Sequence, residues 1–215
     1  MALQLQAIKP VAIALNVFTL PGQLSKPHLQ SLLPLLSNFD IESFTPEPNG
    51  GATLANQTKA KSVTIIPTSR QIVWPVEHSL PQSIDQAFQI LSIIATKLPV
   101  ASYLASQVTC TSHVPVAGET AAALIERTIS KNDALAELGV GVSGVGLKVF
   151  LNGNLGSVAV EPLIADPGMM FIQLIQVYPQ QFKLEFARTL VEEATRFNSH
   201  NVRNFLQKLF EENTP

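Results

Sequence analysis

GVGVSGVGLKVFLNGNLGSVAVEPLIADPGMMFIQLIQVY, residues Gly139–Tyr178, settles the fold class, because turn residues rather than helical spacing separate its three apolar runs. Val140 and Val142 share one parity, while Val145, Leu147, Val149 and Leu151 share the other. Side chains alternate faces along a strand, so one buried face holds both sets only after a one-residue slip. Ser143-Gly144 lies where the parity changes, and the pattern predicts a β-bulge there. Asn152-Gly153 supplies the positive φ angles of a tight hairpin. The return strand sets Val158, Val160 and Ile164 on one face, opposite Ala159 and Glu161. After the Asp166-Pro167-Gly168 turn, Met169–Tyr178 is apolar on both parities except at Gln173 and Gln176, as expected of a central strand covered on both sides.

The same stretch contains Gly139-x-Gly141-x-x-Gly144, the spacing of a dinucleotide-binding loop. That loop needs a helix after its glycines, whose free N–H groups hold the pyrophosphate. Here the residues beyond Gly144 read as another strand, so the glycines are expected to bend an extended ribbon. Gly141-Val142-Ser143-Gly144-Val145 begins like a nucleophile elbow, but valine stands at the closing glycine. Neither motif has the structural context its chemistry requires.

Around the meander, alternation and helical spacing interchange. Val11, Ile13, Leu15 and Val17 predict a first strand. Ser25-Lys26-Pro27 opens a helix with Leu29, Leu32, Leu33 and Leu36 as its stripe, and Pro34 kinks or divides it. A short strand at Ile41–Phe44 precedes Pro46–Thr58, which reads as a turn-rich mobile loop. Val63–Ile66 and Ile72–Val76 form a hairpin that places Trp74 in the core, where its indole N–H needs a partner. Ser83 and Gln86 read as a capping box for a helix with Ile84, Ala87, Phe88, Leu91, Ala95 and Leu98 as its stripe.

The second half repeats that order. Leu104, Val108, Cys110, Val114 and Val116 alternate against Gln107, Thr109, Thr111 and His113, and a helix follows over Glu119–Ser130. A short helical piece, Asp133–Leu138, leads to the meander. Phe182, Phe186, Leu190, Ala194 and Phe197 then recur at helical spacing, and Ser199 is placed to cap a final helix with Val202, Phe205, Leu206, Leu209 and Phe210.

The chain is therefore expected to be an α+β protein of two β-α-β-β-β-α units, an internal pseudo-duplication with a mainly antiparallel sheet. Helices are expected on one side of the sheet, with an extra helix at the C-terminus. The units would span residues 1–98 and 99–215, as two lobes or one continuous domain. This order resembles the duplicated halves of the TATA-binding-protein fold. The resemblance is one of element order, covers no motif residue and carries no function.

Composition narrows the function classes. Of 215 residues, 46% are hydrophobic and only 14% charged, against roughly 25% in ordinary soluble domains. The polar surface must then be built largely from Gln, Asn, Ser and Thr, which suits an extensive interface. Net charge is −2, so there is no overall counterpart to a phosphate backbone. The single cysteine forms no intrachain disulfide and no Cys-rich zinc site. No apolar run reaches the roughly 18–20 residues of a membrane span. The N-terminus lacks the basic start and cleavage site of a signal peptide, so a cytoplasmic location is expected. Asn56-Gln57-Thr58 fits a glycosylation acceptor, relevant only to a secreted chain.

No catalytic, cofactor-binding or metal-ligating set emerges. Cys110 and His113 invite a thiol–imidazole or metal reading, but positions three apart on a strand face opposite ways. Glu77-His78 occupies a loop position where catalytic residues can sit. His28 and His200 read as solvated, as do the pairs Glu192-Glu193 and Glu211-Glu212. Glu119 and Glu126 lie seven apart on one helix, as do many charges on ordinary amphipathic helices. The leading expectation is a non-catalytic interaction or assembly protein, such as a homodimer, with no cofactor. A binder of an apolar small molecule between a curved sheet and its helices is the alternative. A nucleic-acid-binding sheet is disfavoured by the charge.

Overall fold

A computed structural model describes residues 3–129, 145–151 and 155–211. The bulge at Ser143-Gly144, the glycine loop 139–144, the piece 133–138 and the Asn152-Gly153 turn lie outside the described residues. Beyond Gly144, Val145 and Gly146 are irregular and Leu147–Phe150 is a strand, so no helix starts there to receive a phosphate.

The elements are β1 (Lys9–Phe18), α1 (Lys26–Gln30), α2 (Leu33–Leu36), β2 (Ser43–Pro46), β3 (Ala52–Asn56), β4 (Lys61–Ile66), β5 (Ser69–Pro75) and α3 (Leu80–Lys97), then β6 (Ala105–Pro115), α4 (Ala121–Ile129), β7 (Leu147–Phe150), β8 (Gly156–Pro162), β9 (Met169–Tyr178), α5 (Ala187–Phe197) and α6 (Arg203–Glu211). The strands form one nine-stranded antiparallel sheet in the order β2-β3-β4-β5-β1-β6-β9-β8-β7. In each half the opening strand pairs with the last strand of that half, and the remaining strands run outward in reverse order. The architecture is thus α+β, with β2 and β7 at the sheet edges. Compact packing divides the chain into a first unit, Val11–Thr109 with Gln176–Ala194, and a second, Met1–Pro10 with Cys110–Ile175 and Thr195–Pro215.

In the first unit the alternation seen in sequence becomes a registered core. Ile13 faces Trp74, Leu15 faces Ile72, Val63 faces Ile72, and Leu54 faces Val63 across neighbouring strands, all buried. Pro34 divides the first helical segment into α1 and α2, and Ser25 caps α1 through the His28 amide.

Two local expectations do not hold. Pro46–Thr58 is not one mobile loop: it turns at Glu47–Gly51 and continues as β3, burying Ala52, Leu54 and Asn56. The small residues that suggested a loop are what the strand needs, because a Cβ at Gly51 would stand 2.2 Å from the Ile65 carbonyl oxygen on β4. The first half therefore carries four strands after its helical segment. The Ser83–Gln86 capping box is also replaced. Ser79 caps α3 one turn earlier through the Gln82 amide, with Pro81 in the first turn, and Ser83 lies inside the helix donating to the Pro75 carbonyl.

The C-terminal stripe departs from its expected course as well. Phe182 is extended, exchanging 2.9 Å backbone hydrogen bonds with Tyr103 and stacking on its ring at 5.3 Å. Phe186 lies in a single 3₁₀ turn and is exposed. On α5 the expected Ala194 is buried, joined by Ala187, Val191 and Thr195, while Leu190 and Phe197 are half-buried.

In the second unit, α4 packs on β8, over a core containing Leu124, Ile125, Val158, Val160, Met170, Ile172 and Leu174. Thr120 accepts from the Ala123 amide and caps α4. β9 buries only the parity of Met170, Ile172 and Leu174, leaving the other half-buried, so it is central but covered fully on one face. β7 is an edge strand whose Val149 and Phe150 are exposed, and Ile164 lies beyond the end of β8 in solvent. Both depart from the expected buried face; Ile164 does so because β8 ends at Pro162, before Ile164 can join it. A π-helical turn, Asn198–Val202, carries the chain into α6 without a break. Ser199 is therefore no cap; its hydroxyl donates to the Arg196 carbonyl, while buried Asn198 donates to Ser112 on β6.

The close approach at Gly51 sets the first prediction. Gly51→Ala is expected to lower unfolding stability by about 1–3 kcal/mol through displacement of backbone. Gly22→Ala, at a glycine with open space around it, should leave the urea midpoint within experimental scatter. Equal midpoints for the two variants would remove the steric account of β3.

Candidate functional site

β4 places Lys61 on the same buried parity as Val63 and Ile65, and an ammonium there must find counter-charges. It finds two. Lys61 Nζ lies 3.0 Å from Asp40 Oδ2 and 3.1 Å from Glu77 Oε2, with its side chain only 2% exposed. Trp74 provides the floor, its ring centroid 4.9 Å from the ammonium. The buried indole Nε1–H donates to Gln86 Oε1 at 2.9 Å, and Phe39 meets the ring edge-on at 6.4 Å.

Asp40 reaches this position from a left-handed backbone conformation, φ 64°, at the end of a 3₁₀ turn. Its carboxylate also pairs with Lys59 at 3.0 Å on the solvent side. Hydrogen bonds from Lys59, then from Lys61, hold the Asp40 carboxyl below its ordinary range, and Asp40 pushes Lys59 upward in return. Two cations thus meet two carboxylates, and each charge is answered inside the group. The cluster has the chemistry of a structural ion knot. Its sequence signal was a lysine at an inward strand position; Asp40, far from it in sequence, had none.

The other face of the sheet offers a different arrangement. Antiparallel partners share a face, so the registers define continuous rows. One row runs Thr45–Thr53–Thr64–Gln71–Asn16 across five strands, and the next runs Ser43–Ala55–Ser62–Val73–Ala14. On β3, β4, β5 and β1 these positions are half-buried, and neither row contains a charged residue. Thr53 and Thr64 hydroxyls are linked at 3.0 Å. Asn16 Oδ1, enclosed at the end of the polar row, has no hydrogen-bond partner among the described residues.

The residues that invited chemistry are separated or occupied. Cys110 is buried and His113 half-buried on the opposite parity of β6, the latter beside Phe171. Burial pushes the Cys110 thiol up to about 12 and pulls His113 down. Glu77 serves as a counter-ion to Lys61, and its neighbour His78 is exposed. His28 and His200 are exposed too. Glu119 pairs with Arg127 at 2.7 Å, and Arg188 bridges Asp85 at 2.7 Å and Glu192 at 2.8 Å. The side chains of Glu211-Glu212 lie outside the described residues. Asn56 is buried with its amide donating to the Asp40 carbonyl, so the glycosylation triplet has no free nitrogen in the fold. Among the described residues no group of three His, Cys, Asp or Glu converges as a metal site would, and no helix is long and apolar enough to cross a membrane. Compared with protein-family models and with curated proteins, the chain matches none.

Lys61→Met should cost about 1–3 kcal/mol in urea unfolding, less than a fully buried pair because its two carboxylates are 43% and 36% exposed. Adding Asp40→Asn to that variant is expected to recover part of the loss. Because the Asp40 pKa is lower folded than unfolded, its contribution is complete above the ordinary aspartate value and is lost as pH falls through the depressed one. Asp40→Asn alone should therefore flatten the acid limb of a stability–pH profile and leave the neutral-to-alkaline limb parallel to wild type. At Cys110, iodoacetamide labelling near pH 8 should follow the global unfolding rate or equilibrium across a urea series; fast labelling of native protein would contradict a buried, protonated thiol.

Proposed function

We propose that this protein is a non-catalytic assembly module that associates with a second copy of itself through the uncharged rows of its sheet. The observation that carries the reading is the registered row Thr45–Thr53–Thr64–Gln71–Asn16 with its neighbouring Ser/Ala/Val row. Hydroxyl and amide side chains both donate and accept, so such a surface is chemically complementary to its own copy. The Thr53 hydroxyl donates to the Glu47 carboxylate at 2.7 Å, and apart from that one group at the β2–β3 end the rows meet their own copy without juxtaposing like charges, which charged faces do at a cost of several kcal/mol. The low overall charge of the chain agrees with a large surface of this kind. The same rows present no cation to a phosphate backbone, which turns the reading away from nucleic acid.

Size-exclusion chromatography with light scattering over a rising concentration series tests it. The expected outcome is a monomer–dimer transition. The double substitution Thr64→Lys, Gln71→Lys should weaken that transition on the order of a hundredfold while leaving the denaturation midpoint near wild type. A wild-type monomer at every concentration, or a dimer indifferent to the two lysines, overturns the proposal.

A further inference from the structure

A cleft of about 570 Å³ opens in the second unit, between the start of α4 and the strand ends of β7 and β8. Its walls include Ala122, Val145, Pro162, Leu163 and Ile164, and its one ionisable side chain is Glu161. The volume is that of a small-molecule site. Three features show that the walls are held in place. The Pro162–Gly168 turn is closed by hydrogen bonds from the Asp166 amide to the Leu163 carbonyl and from the Met169 amide to the Asp166 carbonyl. The Ala121 amide donates to the Pro167 carbonyl, fixing that turn to α4. Gly146 leaves room for the Glu161 stem, since a Cβ there would stand 2.9 Å from Glu161 Cγ.

Two further facts point to a ligand. Ile164 is 98% exposed at the mouth of the cleft, which leaves its side chain open to a bound molecule. Glu161, exposed at the cleft, has no cation within ion-pair distance among the described residues, so its carboxylate is open to a ligand. Thr120, the remaining polar side chain of the lining, is already engaged by the Ala123 amide. An apolar wall with one unanswered carboxylate selects a ligand with an apolar body and a single positive head.

We infer that this cleft binds small hydrophobic amines, with Glu161 receiving the ammonium and Ile164 folding over the apolar body. The carboxylate accepts two N–H hydrogen bonds from a protonated primary amine, and no covalent step is involved. The site uses none of the residues of the assembly surface, so each proposal stands or falls alone.

Phenethylamine, its neutral analogue phenethyl alcohol and its anionic analogue phenylacetate form a test series on the full chain, followed by calorimetric titration or ligand-observed NMR. Wild type should bind the amine about tenfold or more tightly than the alcohol, with phenylacetate weakest. Glu161→Gln should bring the amine to the level of the alcohol and leave the alcohol unchanged. Ala122→Trp, which fills the cleft, should abolish binding of both, with circular dichroism confirming that each variant is folded. Failure of wild type to bind the amine, equal binding of the amine and phenylacetate, or full amine affinity in Glu161→Gln would overturn the inference. The comparison of amine, alcohol and acid on wild type needs no variant, so a misfolded mutant does not leave the question open.

Discussion

A fully buried indole has one polar atom to satisfy, and the way Trp74 does so ties the first unit together. Its N–H donates to Gln86, which sets the rotation of α3 against β5. Its face lies under the Lys61 ammonium, and its edge meets Phe39. Lys61 in turn draws in Asp40 and Glu77 from chain segments on either side of it in sequence. Moving the ring would leave an N–H without an acceptor and two carboxylates around a cation without its aromatic floor.

Charge is used sparingly, and its placement separates two kinds of surface. The described ion pairs of the first unit gather around Lys61 and Arg188. Arg70 is treated differently: it is buried, and its Nη1 donates to the backbone carbonyls of Ile66 and Ser69, stitching the β4–β5 turn. The outer rows of the sheet, by contrast, are hydroxyl, amide and methyl groups throughout. In the second unit Glu161 places a carboxylate at the rim of an apolar cleft.

Strand periodicity was legible because burial in a sheet alternates residue by residue. Ile13, Leu15 and Val17 on β1, and Val108, Cys110 and Val114 on β6, are buried as their parity requires. The same parity kept Cys110 and His113 apart without any coordinates. Helix beginnings were less legible, since Ser79 and Ser83 are equivalent as caps in sequence and only the packing of α3 on β5 chooses between them. Phe182 and Phe186 sat at helical spacing by coincidence. Backbone pairing with Tyr103 holds Phe182 extended, and that pairing joins residues nearly eighty positions apart.

The α+β class, the sheet-forming runs and the core position of Trp74 are all written in local spacing, and the bare chain of residues suffices for them. Strand order, the steric demand for glycine at position 51, the partners of Lys61 and the alignment of Thr45, Thr53, Thr64, Gln71 and Asn16 into one row exist only once the chain has folded. Those features depend on register between distant segments, and register is set by how whole faces pack rather than by the spacing within any one strand.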